Sequence, residues 1–134
     1  MRSLLLIFCL LLATGCDENS PTGPTVPLDE RFTLAPGDTV LIDGTDTRVQ
    51  FLRVSGDSRC PGDAVCIQGG DAIVKVRVTT GVTNDYDLHT ADSSRATVTH
   101  GSFRISLVNL QPFPFSGRTI AQSEYRATLT VTRQ

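Results

Sequence analysis

From residue 31 onward, hydrophobic and polar residues alternate in short runs separated by turn-forming residues. Val74, Val76 and Val78 alternate with Lys75 and Arg77 inside Ala72–Thr80, the period of a strand with one buried face. Phe103, Ile105 and Leu107 alternate with Arg104 and Ser106, and Tyr125, Ala127, Leu129 and Val131 alternate with Arg126, Thr128, Thr130 and Thr132. Shorter runs lie at Arg31–Leu34, Thr39–Ile42, Arg48–Val54, Asp85–Thr90 and Ala96–His100. The first two flank Ala35-Pro36-Gly37-Asp38, and Arg48–Val54 follows Asp43-Gly44-Thr45-Asp46, both turns by composition. No helical period stands out. About eight short strands predict an all-β fold, a single small antiparallel sandwich or barrel. The long stretch before the last strand points to Greek-key-like wiring.

The first thirty residues have a different pattern. Leu4 to Ala13 is an unbroken apolar run of ten residues behind Arg2. It is too short for a membrane span, which takes about 20 apolar residues, and it fits the hydrophobic region of a secretory signal. It ends in Leu12-Ala13-Thr14-Gly15-Cys16, small residues and then a cysteine, and Asp17-Glu18-Asn19-Ser20-Pro21 comes next. This junction resembles the lipobox of bacterial lipoproteins, with Ala13 where leucine is usual. The resemblance implies a signal peptide over residues 1–15 and lipidation of Cys16. Cys9 would leave with the signal. Several acyl chains at about 0.8 kcal/mol per buried methylene hold a protein to a membrane without spanning it. Residues 16–30, rich in Pro, Gly, Ser, Thr and acids, read as a tether. The β domain is then 31–134, enough for one modest core.

Charge narrows the partners. Without Arg2, eleven basic residues face fourteen acidic ones, a formal charge of −3. The charges are scattered, with neither a basic stripe nor an aromatic platform, so nucleic acid is not an expected partner.

Gly56 to Asp71, GDSRCPGDAVCIQGGD, breaks the alternation. Cys60 and Cys66, with five residues between them in an exported protein, predict a disulfide. Closing so short a loop contributes roughly 2 kcal/mol in the chain-entropy picture. Pro61 and Gly62 form turns, and Val65 and Ile67 are expected to tuck inward. Asp57, Arg59, Asp63 and Asp71 crowd this segment. Arg59 can pair with Asp57 or Asp71 and fix the loop's shape; the other reading is a recognition surface, for which a rigid loop loses little entropy on binding. Three aspartates also raise calcium, but their spacing matches no calcium loop.

Asp57-Ser58-Arg59-Cys60-Pro61, four further residues and Cys66, then a glycine, is similar to a loop in a family of uncharacterised bacterial lipoproteins. Leu107-Val108-Asn109-Leu110-Gln111-Pro112-Phe113-Pro114 and Tyr125-Arg126-Ala127 resemble two later segments of that family. Gln68 stands where the family commonly has tryptophan. The resemblance covers most of residues 31–134. It implies export, a disulfide and a small β domain, and carries no activity with it.

Two further features bear on function. Gly56-Asp57-Ser58 is similar to the nucleophile motif of GDSL-type hydrolases, without its leucine. Its serine would need a base, and only His89 and His100 exist, both near predicted strand ends where a solvated histidine is ordinary. Neither histidine has metal-ligand spacing. Gln111–Gly117 holds Pro112, Phe113 and Phe115; the rings either cap the open end of the sandwich or anchor a partner. The expectation is a lipid-anchored envelope protein, with its domain in the periplasm or at the cell surface. It acts without catalysis or cofactor, on an envelope protein or glycan, through Asp57, Arg59, Asp63, Asp71, Pro112, Phe113 and Phe115. The alternative is an inhibitor of an incoming hydrolase such as a lysozyme or protease.

Overall fold

The structure, a computed structural model, describes residues 23–134. The predicted signal peptide and Cys16 lie outside the described residues. Among the described residues there are nine strands and one short 3-10 turn: β1 (Thr25–Val26), β2 (Arg31–Leu34), β3 (Thr39–Ile42), β4 (Arg48–Asp57), β5 (Ala72–Thr80), β6 (Val82–His89), β7 (Thr97–His100), β8 (Phe103–Gln111), the 3-10 turn Gln122–Glu124, and β9 (Arg126–Arg133). One sheet has the order β1-β3-β4-β5-β6 and the other β2-β9-β8-β7. Neither closes, so the fold is a sandwich and not a barrel.

All pairings are antiparallel except β1 on β3, where Thr25 faces Leu41. The alternation read in sequence is the burial pattern of the strands. Val74, Val76 and Val78 of β5 are fully buried, as are Ala127, Leu129 and Val131 of β9. Lys75 and Arg77 face outward and pair across the ladder with Asp87 and Asp85 of β6. These exposed pairs contribute little to stability. Phe51, Ile42, Leu88, Ile105, Leu110 and Leu129 are the largest side chains sealed between the sheets.

Three details differ from the sequence expectation. The domain begins before residue 31: Thr25 and Val26 are laddered to β3, and the Asp29 N–H donates to the Val131 carbonyl at 2.9 Å. So short a ladder is invisible as a pattern in a Pro- and Gly-rich stretch. The β5–β6 hairpin is longer than read, with Gly81 at φ +69° turning it between paired Thr80 and Val82. The long 112–125 connection joins β8 to β9, which are hydrogen-bonded neighbours. Instead of the Greek-key-like wiring expected, both sheets run as meanders of consecutive strands, β3-β4-β5-β6 and β7-β8-β9, with β1 and β2 added at their edges beside β3 and β9.

Two strands carry bulges, and both aim at the same end of the sandwich. In β8 the ladder slips between Leu107 and Asn109, which breaks the alternation after outward-facing Val108 and buries Leu110. In β4 it slips twice, between Phe51 and Arg53 and between Val54 and Gly56. Close to these slips, Gln122 pairs with the β4 backbone: its Nε2 donates to the Val54 carbonyl at 2.7 Å and its Oε1 accepts the Val54 N–H at 3.1 Å. One amide thereby ties the 112–125 connection to the opposite sheet. Phe51→Ala is expected to cost about 3–5 kcal/mol through the cavity it leaves. Val82→Ala, at an exposed site, should stay within about 0.5 kcal/mol. Urea unfolding monitored by circular dichroism checks both.

Candidate functional site

The segment that broke the sequence pattern begins inside β4, since Gly56 and Asp57 are still paired with Ile73 and Ala72 of β5. The chain then leaves the sheet at Ser58 and returns at Asp71. Ser58 closes the neck: its N–H donates to the Asp71 carbonyl at 2.7 Å, and its hydroxyl donates to the same oxygen at 3.0 Å. The Ser58 hydroxyl thus bonds to the Asp71 backbone, not to a histidine. Gly70 is required here, because a Cβ at that position would lie 1.4 Å from the Ser58 carbonyl oxygen. The disulfide joins Cys60 to Cys66 with Cα atoms 6.0 Å apart.

Arg59 is the hub of the site. Its Nε and Nη2 clamp the two Asp57 carboxylate oxygens at 2.8 and 2.6 Å. Nη1 donates to the Leu110 carbonyl at 2.7 Å, and Nη2 donates also to the Pro112 carbonyl at 2.9 Å. The guanidinium lies 5.5 Å from the centre of the Phe113 ring, within cation–π range. Only 8% of the Arg59 side chain and 10% of that of Asp57 are exposed. Of its two sequence candidates, then, Arg59 chooses Asp57. The Tyr125 hydroxyl donates to Asp57 Oδ2 at 3.0 Å. Burial pushes on the Asp57 carboxyl to raise its pKa, and the hydrogen bonds from Arg59 and Tyr125 overcome that, so it is held below the ordinary 3.8. For Tyr125, burial and the bond to Asp57 raise the phenol to about 12.

Asp71 serves a second cluster. Its Oδ1 accepts the N–H groups of Thr90 and Ala91 at 2.9 and 3.0 Å and the Thr90 hydroxyl at 3.1 Å. Its Oδ2 meets His89 Nδ1 at 2.5 Å, and the far nitrogen of that ring, Nε2, meets Arg95 Nη2 at 2.5 Å. Arginine can only donate, so Nε2 accepts from Arg95 and Nδ1 donates to Asp71, and the ring is engaged on both sides. Partial burial acts to raise the Asp71 carboxyl, and the bonds from His89, Ala91 and Thr90 hold it below 3.8. The histidines are not the solvated residues expected at strand ends. Each is 5% exposed, His89 in this cluster and His100 against Tyr86, whose hydroxyl is 3.0 Å from His100 Nδ1. The sequence offered His89 only as a base for Ser58 and did not mark Arg95; the β5–β6 hairpin brings His89 opposite Ile73, two residues from Asp71.

The two candidate loops meet. The Gly62 N–H donates to the Pro114 carbonyl at 2.9 Å, and the Ser116 N–H donates to Asp63 Oδ1 at 2.8 Å. A Cβ on Gly62 would touch the Phe115 ring at 3.7 Å. Between the loops opens a cleft of about 310 Å³, lined by Arg59, Gly70, His89, Asn109, Leu110 and Phe113 among others. The three loop aspartates face separate partners, and among the described residues no three His, Cys, Asp or Glu side chains gather as a metal site. Val65 and Ile67 do not tuck inward as expected. Both are fully exposed, because the disulfide holds their loop clear of the sheets, and Phe113 and Phe115 are each 53% exposed.

Comparison with protein-family models, curated proteins and solved structures finds no match for this chain.

This geometry has two measurable consequences. Asp57 and Asp71 have depressed folded-state pKa values, so their contribution to stability is present above the ordinary carboxylate range and lost as pH falls through the folded values. Stability is expected to hold from neutral pH down to about 4 and to fall below it. In Asp57→Asn that acid decline should be shallower, as read by urea melts across pH. Arg59→Lys should cost about 2 kcal/mol or more in the same melts at neutral pH, because an ammonium cannot reproduce the fork and leaves carbonyls unpaired.

Proposed function

We propose that this chain is a lipid-anchored protein of the bacterial cell envelope whose sandwich is a non-catalytic binding module. Its binding surface is the joined pair of loops. One observation carries this reading: two segments some fifty residues apart in sequence are locked together through buried Arg59, yet turn Val65, Ile67, Phe113 and Phe115 to solvent. Core-forming side chains held outward on a stiff frame are costly to keep exposed and lose little entropy on binding. The lipobox-like junction at Cys16 and the apolar run before it support the anchor. The site's polar groups support a binding role more than a catalytic one, since His89 has both nitrogens engaged and Ser58 is bonded to backbone.

Inhibition of an incoming hydrolase is the second reading, favoured by the full exposure of Val65 and Ile67 on a disulfide-closed loop. Such a loop is shaped to enter an active-site groove.

The test is capture from the organism's solubilised envelope on immobilised oxidised protein, beside an Ile67→Asp, Phe113→Asp variant. Both positions lie outside the core, and Ile67→Asp alone, which leaves the Phe113 ring over Arg59 in place, is run beside the double variant. The native chain is expected to retain an envelope component that the variant loses. Equal retention, or none, would remove this surface as a binding site. Loss of lysozyme or protease activity on adding the native chain, but not the variant, would establish inhibition instead.

A further inference from the structure

The rim of the joined loops has an unusual composition for an exposed surface. Across residues 60–70 and 107–117, Asp63 is the only charged side chain. Val65, Ile67, Val108, Phe113 and Phe115 are its exposed apolar members. They lie on linked segments: the disulfide ties the Val65 and Ile67 loop to Cys60, Cys60 lines the same cleft as Val108 and Phe113, and the Gly62 N–H bonds to the Pro114 carbonyl next to Phe115. The one charge, Asp63, is pinned by the Ser116 N–H.

The strand register says where the chain enters relative to this rim. Thr25 of β1 pairs in parallel with Leu41, which places Gly23 beside Thr39, and Thr39 pairs with Gln50 of β4. Gly23 therefore lies level with Gln50, seven residues along β4 from Asp57 and the rim. From Gln50 to Asp57 is about 23 Å at ~3.3 Å per strand residue. From Gly23 back to Cys16 the chain can span at most about 25 Å. A lipid on Cys16 can thus lie level with the base of the apolar rim, and a tether this short keeps the domain beside the bilayer with the rim within reach of it.

We propose that the rim formed by Val65, Ile67, Phe113 and Phe115 rests in the interface of the bilayer that anchors Cys16. The domain then sits loops-down on the membrane and does not swing free of it. The proposal deepens the binding-module reading and rests on its lipid anchor: it names the bilayer as the occupant of the joined loops. Aliphatic and aromatic side chains at the headgroup boundary give up water-exposed apolar area, while the carboxylate of Asp63 sets the depth by staying among the headgroups. A second attachment beside the acyl chains also strengthens an anchor by raising effective concentration.

The chain has no tryptophan, so a single introduced one reports its own surroundings. Full-length lipidated Ile67→Trp, Phe113→Trp and Val82→Trp are each reconstituted into phosphatidylethanolamine–phosphatidylglycerol vesicles, with and without brominated acyl chains. Val82, exposed on the β5–β6 hairpin, is the control. Flotation first shows whether the chain is bound. Bromolipid is expected to lower the Ile67→Trp and Phe113→Trp emission about twofold or more, as shallow insertion places a ring near the acyl boundary, and to leave Val82→Trp unchanged. Floating protein whose rim tryptophans are quenched no more than Val82→Trp would overturn the bilayer contact while leaving the anchor standing, and would return the rim to a protein or glycan. A chain that does not float would overturn the anchor and the rim contact with it.

Discussion

A buried guanidinium needs most of its donors met, and Arg59 meets them with one carboxylate and two carbonyls from distant parts of the chain. Leu110 and Pro112 bring their carbonyls only if β8 ends and the loop after it turns in one particular way. Asp57 brings its carboxylate only if β4 stays in the ladder to its last residue. Taking this ion pair out of water has a desolvation cost that the pair itself offsets only when the remaining donors and lone pairs are bonded. Here Tyr125 bonds the carboxylate as well. The arrangement couples the two sheets at one end, so the loops there behave as one body.

The bulges answer the same demand. An unbroken β8 would keep its inward and outward positions in strict alternation to the end, which would put Leu110 on the outer face. The slip at Val108 moves Leu110 back into the core and its carbonyl to Arg59. In β4 the slips keep Val54 buried while delivering Asp57 and the turn at Ser58 to the sheet end. Regular pairing builds the scaffold, and its interruptions build the rim.

The Asp71–His89–Arg95 cluster stands beside this frame as a second clamp. It fixes the returning side of the loop to β6 and to the turn before β7, as the Arg59 clamp fixes the departing side to β8. Both necks are held and the disulfide closes the tip, and Val65 and Ile67 stay in water.

The alternation of valines with charged residues made the strands and their buried faces legible, because a period of two has one physical cause, burial of a single face. The cysteines' spacing and the glycines and prolines likewise marked the closed loop. Where local signals are weak the reading stopped short: β1 is two residues long, and the first half of β6 is exposed on both faces, so neither carries an alternating pattern. The partner of Arg59, the burial of His89 and the exposure of Val65 and Ile67 were open or misread, since each depends on what lies across the fold. A charged side chain's partner, and an apolar side chain's access to the core, are set by the register of strands far apart in sequence. Local chemistry determined which elements form and where the chain is clipped; only the packing of the two sheets decided that Asp57, Arg59, Leu110, Pro112 and Tyr125 would meet, because the register and bulges that bring them together are properties of paired strands and not of any one of them.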